Sequence, residues 1–167
     1  MSRQLNIMVM GKTGNGKSTT GNSILGTDVF HCPHTASSTT FHVDSDTRKI
    51  QGYKVTVVDT PGMRNKTDIV GVVNSSEEAR LAMTYMNQAL SRCSNNEIHM
   101  FLLVLPFECN YVEDGMGVVQ DLMSKGYAPY MLNRTAVLFT HGRDFEKKFG
   151  SGPGNFKGWC SAQKGEL

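Results

Sequence analysis

Residues 11–18 read Gly11-Lys12-Thr13-Gly14-Asn15-Gly16-Lys17-Ser18, and this octet decides how the rest of the chain is read. It fits the pattern GxxxxGK[ST]. Glycines let a backbone fold tightly enough for successive N–H groups to converge on phosphate oxygens. A helix beginning at Lys17 would add the positive end of its dipole. Lys17 would reach the β- and γ-phosphates, and the Ser18 hydroxyl would bind Mg²⁺. The alternative is a glycine-rich turn with no ligand. Context favours the phosphate reading: Leu5–Met10 (LNIMVM) before it reads as a buried strand, and Lys17 to about Leu25 after it as a helix.

The alternation of strand and helix continues outward. Thr40–Val43 and Tyr53–Asp59 read as strands joined by a polar turn near Asp46–Lys49. Ser75 to about Arg92 is the clearest helix. Ser75 and Glu78 have capping-box spacing, and Ala79, Ala82, Met83, Met86, Ala89 and Leu90 recur every three or four residues. Ile98–Leu105 is an apolar strand stopped by Pro106, Val112–Lys125 a helix ending near Gly126, and Thr135–Thr140 a further strand. After Arg143 the pattern decays. Gly150–Gly158, with four glycines and a proline, reads as a loop, with a helix starting at Trp159. Strands separated by helical crossovers predict an α/β fold with a mostly parallel sheet, whose ligands sit at the carboxyl ends of the strands. Asp59-Thr60-Pro61-Gly62 follows one such end. An acid there can hold Mg²⁺ through water, and the Gly62 N–H can face a γ-phosphate. Alone, the same four residues would be an ordinary Pro-Gly turn.

Composition bounds the function. The 167 residues suit one domain, and 39% hydrophobic with 19% charged residues suits a globular core. Seventeen Lys and Arg against fifteen Asp and Glu give a net charge of +2, without basic runs, and so no reason to expect nucleic acid. Cys32, Cys93, Cys109 and Cys160 form no CxxC, which suits a reduced, intracellular chain. The N-terminal apolar stretch is too short for a signal peptide. The longest apolar run, Met100–Leu105, is far below the roughly 20 residues that span a bilayer.

The run GKTGNGKSTTGNSILG (Gly11–Gly26) resembles the phosphate loop and first helix of the GTPases of immunity-associated proteins, the GIMAP or avirulence-induced-gene family of septin-related GTPases. Its tail, GNSILG (Gly21–Gly26), is more specific than the loop pattern. Val57–Gly62, Phe101–Leu105 and Val137–Phe145 resemble family segments in the family's order. The resemblance implies a P-loop NTPase three-layer sandwich with a mostly parallel sheet, forming a single, incomplete AIG-type G domain over residues 1–167. It implies GTP or GDP bound with Mg²⁺ by Gly11, Lys12, Thr13, Gly14, Asn15, Gly16, Lys17, Ser18, Thr19 and Gly62. Ser18, Asp59 and a switch threonine would surround the metal; that threonine falls on Thr40, with Thr39 as the fallback. Lys17 and Thr40 would act on the γ-phosphate. A loop merely rich in Ser and Thr is the competing reading of the latter segment. In Thr140-His141-Gly142-Arg143-Asp144, the Asp144 carboxylate would read the guanine edge and His141 lie against its plane. This segment has one residue more than N/TKxD, as family members also do.

Two departures shape the expectation. Met63 stands where many small GTPases have a glutamine that orients the attacking water, which implies slow GTP hydrolysis or hydrolysis only after assembly. The family's last guanine-contacting strand and final helix would lie beyond Leu167, leaving the strand at Val137–Phe139 uncovered. The resemblance further implies nucleotide-dependent self-association through the switch face. It also implies a cytoplasmic location, with peripheral membrane association by analogy. A P-loop ATPase or kinase, and a truncated interaction module that modulates full-length relatives, are the competing functions. His31, Cys32 and His34 read as a solvated loop rather than a zinc site, and Cys109, Glu108, Glu113 and Asp114 as loop residues rather than catalytic groups.

Overall fold

The structure is a computed structural model that describes residues 3–31, 42–62, 75–107, 130–131 and 133–162. Five strands form its sheet: β1 (Arg3–Met10), β2 (Asp44–Ile50), β3 (Tyr53–Asp59), β4 (Met100–Pro106) and β5 (Thr135–Thr140). Their order across the sheet is β2-β3-β1-β4-β5. β1 pairs in parallel with β3 and β4, and β4 in parallel with β5, while β2 runs antiparallel along β3. Among the described residues, β5 forms one edge of the sheet, and Val137 and Leu138 on it are exposed. The helices are α1 (Lys17–Leu25), α2 (Ser75–Arg92), α3 (Gly142–Phe149) and α4 (Pro153–Ala162).

The strand period of two distributes one sequence run over two cores. Met8 and Met10 of β1 join Val58, Phe101, Leu103 and Leu105 on one face, against Met86 and Ala89 of α2. Ile7 and Val9 join Val55, Val57, Leu102 and Val104 on the other, against Leu25 of α1. Each such side chain, fully buried, contributes roughly 1.5–3 kcal/mol. The crossover from β1 to β3 carries α1, and that from β3 back across β1 to β4 carries α2. Right-handed crossovers in opposite directions put the two helices on opposite faces. They also make the carboxyl end of β1 the point where the winding reverses, and the octet at 11–18 follows that end.

Two readings of the sequence are corrected. The strand preceding β3 lies at Asp44–Ile50; of the expected Thr40–Val43, His42 and Val43 are not strand and the first two residues lie outside the described ones, and the turn is Gln51-Gly52, not Asp46–Lys49. Gln51 and Gly52 both have positive φ (48° and 83°), the two-residue hairpin geometry that matches strand twist. Asp46 and Lys49 tolerate a strand because β2 is an exposed edge, where charge prevents further pairing. Second, most of Gly150–Gly158 is not loop. α4 opens at Pro153, a favoured first helical residue, and α3 occupies Gly142–Phe149, where no helix is legible. Ring contacts hold both helices. Trp159 meets Phe139 at 5.1 Å, Phe107 at 5.5 Å and Phe145 at 5.8 Å between centroids. Asn155 also donates from Nδ2 to the Phe149 carbonyl at 2.7 Å, tying α4 to the end of α3. The helix expected at Val112–Lys125 lies outside the described residues, as do the side chains of Ser75 and Glu78.

Candidate functional site

The turn after β1 needs its first glycine for two reasons. Gly11 has φ 144°, and a Cβ there would overlap the Val104 carbonyl oxygen of β4. Asn15 then reaches back, donating from Nδ2 to that same oxygen at 2.9 Å. Thr140, at the end of β5, donates its hydroxyl to the Asn15 carbonyl at 3.0 Å. The loop is therefore pinned to two neighbouring strand ends before α1 begins. On the far side the Asp59–Gly62 turn closes against it: a Cβ on Gly62 would overlap the backbone and hydroxyl of Thr13. Thr60 anchors this turn by donating to the Val9 carbonyl at 2.7 Å.

Three functional side chains converge between these loops. Lys17 is only 6% exposed and donates from Nζ to the Lys12 carbonyl at 2.8 Å. Burial pulls its ammonium down to about 8, against the opposing attraction of the Asp59 charge. Asp59 is 1% exposed and accepts the Ser18 hydroxyl on Oδ2 at 2.5 Å. Burial pushes its carboxyl above the usual range, while the Ser18 hydrogen bond and Lys17 pull it back. Its other oxygen, Oδ1, is buried without a hydrogen-bond partner among the described residues. An orphaned carboxylate oxygen beside a serine hydroxyl suits a hard, oxygen-loving cation, and Mg²⁺ fits that donor set.

An open cleft of about 600 Å³ runs from the loop along α1 to β5. Gly14, Asn15 and Gly16 line one end, Thr19, Thr20, Ser23 and Ile24 one wall, and Leu138, Thr140 and His141 the other. His141 holds a left-handed φ of 61° at the start of α3, unusual for a residue with a Cβ. Asp144 sits in the first turn of α3, half-exposed, with Oδ1 accepting Lys147 Nζ at 3.2 Å. It does not line the cleft. Thr40, Thr39 and Met63 lie outside the described residues, as do Cys32, His34, Cys109, Glu108, Glu113 and Asp114. Sequence reasoning missed Thr60 and Thr140. Their signal is a hydroxyl residue at a strand's carboxyl end, where it can satisfy a neighbouring loop's carbonyl.

Residues 5–151 match the model of the AIG1 family. The chain belongs to the AIG1 family. This AIG1-family chain is 29% identical over 146 residues to immune-associated nucleotide-binding protein 7 of Arabidopsis thaliana, covering 85% of this chain and 42% of that protein. It is 29% identical over 140 residues to mouse GTPase IMAP family member 8, covering 84% of this chain and 19% of that one. It thus spans less than half the length of both relatives. Among solved structures, it is similar to Arabidopsis thaliana Toc33 in complex with GDP and Mg²⁺, at a TM-score of 0.60 and 24% identity, covering 84% of this chain and 51% of that one. Era in complex with MgGDPNP and ribosomal RNA gives a TM-score of 0.55 at 18% identity, covering 83% and 40%. The fold is therefore the α/β sandwich with a mostly parallel sheet that the family resemblance implies, and P-loop GTPases are its structural neighbours. No described helix is long and apolar enough to cross a membrane.

Proposed function

We propose that this chain is a guanine-nucleotide-binding switch that holds GTP or GDP with Mg²⁺ and hydrolyses GTP slowly. The observation that carries the reading is the convergence of Lys17, Ser18 and Asp59, with an orphaned Asp59 oxygen, between two closely packed loops. The backbone N–H groups of residues 12–19 and the Lys17 ammonium bind the phosphates. Gly62 lies in contact with Thr13, within reach of a terminal phosphate. Ser18, Asp59 and Thr40 hold Mg²⁺, which when bound neutralises charge on the phosphates. The nucleoside takes the cleft along α1, with His141 against the base and Asp144 exchanging Lys147 for the guanine edge.

The names of the relatives favour nucleotide binding, and Toc33 is a structural neighbour solved with GDP and Mg²⁺. Self-association through the switch face is part of the proposal. A structural neighbour at 19% identity carries a title that ties dimerization to GTPase activity in chloroplast translocon components. A cytoplasmic location and the absence of nucleic-acid partners also belong to this reading.

Titration of the purified chain with labelled GTP, GDP and ATP in Mg²⁺ tests it. Guanine-selective binding is expected; equal ATP binding would remove Asp144 as base reader and favour an ATPase or kinase. No binding by a folded chain would favour the interaction module. Single-turnover hydrolysis across a protein concentration series is expected to be slow when dilute, because Met63 cannot orient water. A fast, concentration-independent rate would overturn that expectation.

A further inference from the structure

The run GNSILG (Gly21–Gly26), which follows the phosphate loop, has a second use in the structure. Asn22 lies on α1 one turn beyond Ser18 and is only 7% exposed. Its amide is spent on one short stretch of backbone. Nδ2 donates to the Phe30 carbonyl at 2.9 Å, while Oδ1 accepts the N–H groups of Val29 at 3.1 Å and Phe30 at 2.8 Å. The clamp holds the Phe30 ring, 4% exposed, inside the core beneath α1. Gly21 makes room for it. A Cβ at Gly21 would lie 2.8 Å from two Phe30 ring carbons and 3.3 Å from Val57 Cγ1. Helix α1, the Phe30 ring and β3 therefore meet at one point without slack.

That point is close to the site. Gly21 is three residues from Ser18 along α1, about 4.5 Å of helix rise. Val57 is two residues from Asp59 along β3, about 7 Å of strand. The Ser18–Asp59 hydrogen bond spans the same two elements. We propose that Asn22, acting through Phe30, is a positioning residue that sets the spacing of Ser18 and Asp59 for Mg²⁺. The inference rests on the nucleotide-binding reading above and assigns that site a part outside its contact residues. Mg²⁺ demands near-ideal octahedral geometry at 2.0–2.1 Å, so a shift of a few tenths of an ångström between α1 and β3 weakens it. The phosphate grip is different. It comes from the 11–18 loop, which Asn15 pins to β4 and Thr140 pins to β5, independently of Phe30. Metal affinity is thus separable from phosphate affinity.

The experiment measures labelled GDP binding to the chain, first in chelator and then across a Mg²⁺ titration. It compares wild type, Asn22→Ala, Phe30→Leu and the double variant, with circular dichroism to confirm folding. Each single variant is expected to raise the Mg²⁺ concentration for half-maximal effect about tenfold, as loss of a metal site's outer support does. Metal-free GDP affinity should stay within about twofold, and the double variant should be no worse than the singles, because the two residues act as one unit. An unchanged Mg²⁺ midpoint, or equal loss with and without metal, would overturn the proposal. Should Asn22→Ala fail to fold, Phe30→Leu decides alone. A wild-type chain that binds GDP with no response to Mg²⁺ overturns the positioning role but leaves nucleotide binding standing. A folded wild-type chain that binds no GDP at all overturns both.

Discussion

The two ends of the β1–β4–β5 ladder solve different problems. At the carboxyl end of β1, polar groups are buried and held by hydrogen bonds of defined partners: Lys17 to Lys12, Ser18 to Asp59, Asn15 to Val104, Thr60 to Val9. Beyond β5, α3 and α4 are held by a cluster of rings, and apolar surface stays open, with Val137 43%, Phe149 42% and Phe156 41% exposed. The first region is closed around chemistry, and each residue type in it is nearly irreplaceable. The second is a packing solution, in which ring area matters more than identity. The hydrogen bonds that pin the phosphate loop and its facing turn run to β4, β5 and β1 rather than to α4. Thr140 ties the two regions, reaching from the end of β5 to Asn15.

The largest expected effect breaks the first region alone. Lys17→Ala removes a charged donor worth about 3 kcal/mol to a phosphate, on the order of a hundredfold in GTP affinity. Circular dichroism should show the fold retained. Trp159→Ala breaks the second region. Losing a partly buried ring should cost about 2 kcal/mol in urea unfolding. GDP affinity should stay near wild type; a parallel loss of affinity would mean that the two regions are one unit.

A smaller effect sharpens the contrast through pH. Lys17 has a folded value of about 8 against an ordinary 10.5. Between these values the unfolded chain binds the extra proton. The Lys17 contribution to stability of the nucleotide-free chain is therefore fully present above 10.5 and lost as pH falls through about 8. Nucleotide binding runs the other way. A phosphate restores the charged ammonium, so affinity should fall as pH rises above about 8, approaching tenfold per pH unit. Titrations from pH 7 to 10 read this slope, and Lys17→Ala should flatten it. The smallest effect concerns Lys147, whose ion pair with Asp144 is exposed. Lys147→Ala should change stability by under about 0.5 kcal/mol. It should strengthen guanine binding slightly by freeing the carboxylate, as read by comparing GTP and ATP affinities.

Legibility in the sequence followed the same division. The bounds of α1 and the end of β1 are written locally: apolar run, glycines, Lys-Ser, Gly26. Steric and chemical demands at these positions admit few residues, so the pattern is unambiguous. α2 was legible for a related reason, since its apolar face recurs at helical spacing and Met86 and Ala89 are buried as that face requires. The β2–β3 turn is not legible because Asp46 and Lys49 have the composition of a turn, whereas their strand is possible at an exposed sheet edge. α4 is not legible because glycines and a proline weaken every local helical signal. Its stability comes from Phe156 and Trp159 packing edge-on against Phe139, Phe107 and Phe145, residues up to some fifty positions away.

The sequence by itself determined the phosphate loop, the acid at the end of β3, the α/β class and the family, because each depends on residue types at short spacing. Tertiary structure decided what distance brings together. It placed Ser18 on Asp59 and left one oxygen of that acid without a partner. It turned Asn22 from a helix residue into the clamp on Phe30, and left Asp144 out of the lining of the cleft. Hydrogen bonds and ring contacts between residues far apart in the chain are set by how α1 and α3 pack on the sheet, and no local pattern encodes that geometry.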